Sequence, residues 1–130
     1  MKNLAQRRGF HIVIFDPEFE ERPAKFLNQH EKKRLEDKLY RATVAGKVYD
    51  HLFRKVTVAD VCFIFNKDGY VGVNTSGELF AAAALGKTVY ALNNKVMMGQ
   101  YPHDLYEEPA PRKLIHEIVS TPKELLRRLL

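Results

Sequence analysis

The apolar positions of this chain fall into two kinds of pattern. At 61–65 (VCFIF) they run without a break, and TVYAL at 88–92 follows Thr88 with four more, as in strands covered on both faces. Residues 75–85 between them are apolar nearly all round after a polar start. That predicts a deeply packed helix, stopped at Gly86. FHIVIF at 10–15 predicts a further strand, ended by Asp16 and Pro17. KLIHEIV at 113–119 predicts a short last strand. Helical spacing appears elsewhere. Residues 1–8 read as the tail of a helix stopped by Gly9, and 28–42 as a charged helix. Residues 46–59 read as a second helix, or as a continuation of the first after a break at Gly46, with Val48, Leu52 and Val56 on its inner face. Thr121, Pro122 and Glu124 open a terminal helix with a capping box and proline at its first position. Residues 93–112, rich in Met, Pro and Tyr, show no period and are expected to be irregular.

Strands alternating with helices imply an α/β fold. The expected architecture is one small three-layer domain over residues 1–130, with a mostly parallel flavodoxin/Rossmann-like sheet. Ligands of such sheets bind at the carboxyl ends of the strands. The polar loop 66–74 leaves such an end, which makes it and the helix behind it the first place to look for chemistry.

Composition narrows the class without naming a function. Apolar residues make up 45% of the chain and charged residues 28%, the balance of a soluble globular protein. The longest apolar run, 79–85, is too short for a bilayer, and MKNLAQRRGF has no apolar signal core. No membrane partner is therefore expected, and the single Cys62 is compatible with a reducing cytoplasm. The net charge of +5 is spread among acidic residues, as in HEKKRLEDKLYR. That reads as a solvated helix face rather than a nucleic-acid surface.

Glu78 is the most informative single residue. Thr75-Ser76-Gly77-Glu78 matches the S/T-x-x-E capping box, in which Glu78 would bond back to the Thr75 backbone. A carboxylate in the first turn of a buried helix at the strand ends has a second use. The helix dipole would favour its ionised form, and an ionised, held carboxylate suits attack at a sugar anomeric carbon. Both readings stand on the sequence.

ADVCFIFNKDGYVGVNTSGELFAAAALGKTVYAL (59–92) resembles the core of the nucleoside 2-deoxyribosyltransferase-like family: an "AD" before an apolar strand, a loop ending in Gly-x-x-(S/T)-x-x-Glu, a small-residue helix, "GK" and a second apolar strand. RRGFHIVIFDP and YDHLFRKV extend the resemblance more loosely. It implies that Glu78 is the catalytic nucleophile in deoxyribosyl transfer or hydrolysis, with Thr75, Asp68, Tyr70, Gly72 and Asn74 lining the sugar pocket. It implies no cofactor, a nucleoside or nucleotide as the small-molecule partner, and a homo-oligomer whose neighbour closes the pocket. Residues 93–112, with Met97, Met98, Tyr101 and Tyr106, are the expected interface. Family members carry Asp where this chain has Gly72, and Asp68 is equally readable as an Asp-Gly turn. The family's first strand has no counterpart before KNLAQRRGF. The resemblance therefore implies a sheet without it, from a truncated start or a reduced relative, in which 10–15 pairs directly with 61–65 or a partner strand comes from another chain.

The remaining candidates each have two readings. Asp16 could contact a ribose hydroxyl or end a strand, and Asn93 and Asn94 could bind a base or form a turn. Asp60 could cap or turn the chain. His11, His30, His51, His103 and His116 lack metal-ligand spacing, so no metal site is expected, and His51 reads as a core histidine. A looser likeness joins DGYVGVNTSGELFAAAALGK to the phosphoribohydrolases that activate cytokinins, without their double glycine. A nucleotide-binding module in which Glu78 is only a cap is the third alternative.

Overall fold

The computed structural model describes residues 13–15 and 29–130. It is a small α/β domain with a three-stranded parallel sheet. In chain order the elements are α1 (Glu31–Arg34), α2 (Lys38–His51), a π-helical turn (Leu52–Val56), β1 (Val61–Ile64), a 3₁₀ turn (Lys67–Gly69) and α3 (Val73–Ala84). Then come β2 (Thr88–Ala91), β3 (Met97–Met98), β4 (Tyr106–Glu107), α4 (Pro109–Arg112), β5 (Glu117–Ile118) and α5 (Pro122–Leu129).

The two apolar runs became neighbouring strands, with β2 at the centre of the sheet and β1 at its edge. β1 and β2 are parallel in the register Val61 to Thr88 through Ile64 to Ala91, and β5 joins the far side of β2. His116 extends that edge: its N–H donates to the Val89 carbonyl, and its Nδ1 accepts from the Val89 N–H. Helix α3 packs on β1, β2 and the π-helical turn. Ile64, Val71, Leu79, Ala82, Val89, Ala91, Val96 and Val56 form the core. Leu79 and Ala82 repeat at helical spacing along the face α3 turns to the sheet, and both are wholly buried, but Val73, Phe80 and Leu85 are exposed, so the helix is packed on one face and not all round as expected.

Several expectations are corrected. The charged helix breaks at residues 35–37 rather than at Gly46. Asp37 restarts it, with a side-chain oxygen accepting from the Tyr40 N–H at 2.9 Å, as a good N-cap does. The described part of the 10–15 strand, residues 13–15, has no strand conformation and pairs with neither β1 nor any other strand. The expected helix at 1–8 lies outside the described residues. Nor is the 93–112 segment without structure of its own. β3 and β4 pair antiparallel, Tyr70 bridges to Met97, and the Tyr101 ring lies 4.9 Å from the Tyr70 ring. The last strand is shorter than 113–119, because α4 and the turn after it take up the chain before Glu117.

Candidate active site

The loop from β1 to α3 is built on Asn66, a residue that pattern reading passed over. Its side chain is completely buried. Nδ2 donates to the carbonyls of Asn93 and Lys95, each at 2.8 Å. Oδ1 accepts from the N–H groups of Leu92 and Asn93, each at 2.9 Å. Asn66 thereby ties the carboxyl end of β1 to that of β2 with its polar atoms satisfied, as a buried amide requires. The only sequence signal was a polar residue immediately after an apolar strand.

From there the chain turns sharply. Asp68 has a φ of 57° and Gly69 of 87°. A Cβ on Gly69 would approach the Lys95 Cβ to 2.8 Å, so glycine is needed both for space and for backbone conformation. Asp68 is exposed, and its place in the structure is this turn. The Val71 N–H then donates to the Met97 carbonyl at 3.0 Å, pinning the loop to β3. The next residue, Gly72, is already the N-cap of α3.

That early start decides the first question about Glu78. The helix begins at Val73, so Thr75 is inside it and caps nothing. No side chain caps this helix. The expected capping box does not form, and Glu78 sits in the second turn rather than the first. It is five residues beyond Val73, about 7.5 Å along the axis. The carboxyl group therefore stands below the strand ends, although helical side chains lean back toward the N-terminus and so toward them. At this depth the helix dipole contributes little. Burial instead raises the Glu78 carboxyl above its ordinary range, opposite to the expected shift.

Two groups meet the carboxylate. His51, the last residue of α2, places Nε2 at 3.5 Å from Glu78 Oε1. The two side chains are 12% and 17% exposed, so the pair is sheltered while the carboxylate still reaches solvent. The π-helical turn that begins at the next residue lies against α3 and sets this approach. Such turns are frequent at functional positions. On β1, burial first and the Glu78 carboxylate second push the Cys62 thiol up to about 11, which leaves it protonated and inert as a nucleophile.

The other expected site residues are placed unequally. Asn74 and Thr75 precede Glu78 by one turn and share its side of the helix, Asn74 exposed and Thr75 half-buried. Tyr70 and Gly72 lie at the helix entrance, and a Cβ at Gly72 would make only ordinary contact with the Tyr70 hydroxyl. Asn93 is engaged in its own turn, with Oδ1 accepting from the Lys95 N–H. Asp16 lies outside the described residues. A separate cleft of about 200 Å³ is lined by Asn94, Arg112, Ile115, His116, Glu117 and Ile118, on the β5 side and apart from Glu78. Among the described residues no three His, Cys, Asp or Glu side chains are grouped to hold a metal ion, and no helix is long and apolar enough to cross a membrane. No protein-family model matches the chain, and neither does any curated protein or solved structure.

Proposed function

We propose that this protein acts on the N-glycosidic bond of a nucleoside or nucleotide, with Glu78 as the nucleophile. The observation that carries the reading is a half-buried carboxylate on a helix packed against the sheet by one face, free of any capping role and paired with one histidine. In the reaction a Glu78 oxygen attacks the anomeric carbon. The bond from that carbon to the base nitrogen breaks, its electron pair leaves with the base, and water supplies the base with a proton. The glycosyl ester then yields to a second base or to water, regenerating the carboxylate. Partial burial makes the carboxylate a stronger nucleophile whenever it is ionised, and His51, with Nε2 at 3.5 Å, favours that form only when it carries a proton. Tyr70, Asn74 and Thr75 stand toward the strand ends, where the sugar would enter.

The test is release of free base from a panel of nucleosides and 5′-monophosphates, with and without an acceptor base. Turnover of nucleosides that Glu78→Gln removes supports the proposal. Release from monophosphates alone would move the substrate class to the phosphoribohydrolases. Saturable binding without release from any substrate would reduce the protein to a nucleotide-binding module.

A further inference from the structure

Helix α2 has two apolar faces. The inner one carries Val44 and Val48, continued by Leu52 of the π-helical turn, all partly buried. The outer one is exposed, yet it consists of Leu39, Ala42, Gly46 and Tyr49, continued by Phe53 of the same turn. These positions alternate by three and four residues, the spacing of a coiled-coil seam. Leu39 is 78% exposed, Tyr49 62% and Phe53 52%. The Tyr49 and Phe53 rings lie 4.6 Å apart and form a preset aromatic plate at one end of the stripe. Gly46 stands near its middle. A Cβ there would meet nothing within 4 Å, so no contact among the described residues requires glycine. Glycine inside an exposed helix costs about 1 kcal/mol relative to alanine. Close approach of another helix would account for it.

We infer that the outer face of α2 is a docking surface for a second copy of this chain, with the two α2 helices antiparallel. The stripe is complementary to itself in that arrangement. Leu39 of one copy meets Tyr49 of the other, and Ala42 meets Gly46 of the other. Both layers recur on the far side of the two-fold axis. Large residues close the ends while small ones let the helix backbones approach at the centre. A parallel pair would stack Leu39 on Leu39 and leave a gap at Gly46. Area gives the strength. Full burial of an aromatic side chain removes about 150–250 Å², so the exposed parts of Leu39 and Tyr49 come to roughly 250 Å² per copy, with Phe53 on the rim. With the small residues and the rim, the pair reaches about 1,000 Å², the low end of specific interfaces. The dimer is therefore concentration-dependent rather than permanent. This inference does not rest on the chemistry at Glu78.

Sedimentation over a wide concentration range tests it. The expected result is a reversible monomer–dimer equilibrium that Gly46→Trp and Tyr49→Lys each weaken at least about ten-fold, with unchanged helical circular dichroism. Orientation is read by disulfide trapping in a Cys62→Ser background. A mixture of Leu39→Cys and Tyr49→Cys chains should form mixed disulfide dimers, while neither chain cross-links alone. A chain that stays monomeric at every concentration would overturn the inference. So would a dimer that both substitutions leave intact, or one in which Leu39→Cys chains cross-link to each other.

Discussion

The chain contains the same four-residue pattern twice, and the two copies do opposite things. At the start of α5, Thr121 is the N-cap, and its hydroxyl accepts from the Glu124 N–H at 3.1 Å. Glu124 reaches back to accept from the N–H and hydroxyl of Ser120, at 2.7 and 2.8 Å, and takes a 2.6 Å bond from Arg128. At Thr75 and Glu78 none of this occurs, because α3 is already under way at Val73. The motif alone therefore does not make a cap; the residue that starts the helix does. Pro122 fixes the start of α5, since proline suits the first helical position and Thr121 is left just outside. The start of α3 is fixed from a distance, by the Val71 bond to Met97 and by Asn66 beneath the loop. The carboxylates diverge accordingly. Hydrogen bonds from Ser120 hold Glu124 down at about 2, whereas burial raises Glu78.

The largest expected effect separates the two glutamates by chemistry. Glu78→Gln should reduce base release by roughly a thousand-fold or more, the scale of losing a nucleophile. Glu124→Gln should leave turnover within about two-fold, because surface changes away from a site act weakly. Since α3 has no side-chain cap, loss of activity in the first variant could not be ascribed to a broken helix start. Wild-type turnover in Glu78→Gln would end the proposal.

The next effect concerns what starts α3 early. Asn66→Ala removes four hydrogen bonds in a fully buried place and strands three backbone groups, the Asn93 N–H and the Asn93 and Lys95 carbonyls, while the Leu92 N–H keeps its bond to the Ile64 carbonyl. A loss of about 3 kcal/mol in urea unfolding is expected. A loss below about 1 kcal/mol would mean that the Val71–Met97 bond alone holds the loop, and that Asn66 has no part in placing Glu78.

These two sites also mark what could be read along the chain. β1 and β2 were legible because four or five consecutive apolar residues have few other uses in a small domain. α5 was legible because its signals are local: Thr121, Pro122 and Glu124 lie within four residues. The start of α3 was not, since it depends on a backbone bond to Met97, beyond the next strand. The meeting of His51 with Glu78 depends on a π-helical turn that no side-chain period announces. β3 and β4 are two residues each, too short for alternation to show. The break before α2 was within reach, because Asp37 is a strong N-cap type, but the charged run on both sides concealed it.

A third effect isolates capping itself. Thr121→Ala should cost about 1 kcal/mol of stability, the usual price of a lost N-cap. Thr75→Ala should stay within about 0.5 kcal/mol, because its residue lies inside a helix and alanine is the better helix former there. Equal losses at the two threonines would show that α3 starts later in solution, at Thr75, and that Glu78 caps after all.

The smallest effect is decided by sign rather than size, and it comes from pH. Glu124 is held low when folded, at about 2 against an ordinary 4.5. The unfolded chain therefore binds more protons between those values, and stability falls as pH drops through that window. Glu124→Gln should accordingly be less stable than the natural chain near pH 7 and should converge with it near pH 2. Glu78 is shifted the other way, so its contribution has the opposite sign. The folded chain keeps the proton that the unfolded chain has released above 4.5. Stability from the neutral carboxyl is complete below that value and is lost as pH rises through the folded one. Glutamine has the shape of the neutral acid and no charge to bury, so Glu78→Gln should be the more stable protein near pH 7 and equal to the natural chain near pH 4. Urea unfolding of both variants across pH 2–8 reads the two signs directly. If Glu78→Gln were the less stable at neutral pH, the His51 contact would outweigh burial, and the carboxylate would be a structural ion-pair partner rather than a charge kept for substrate.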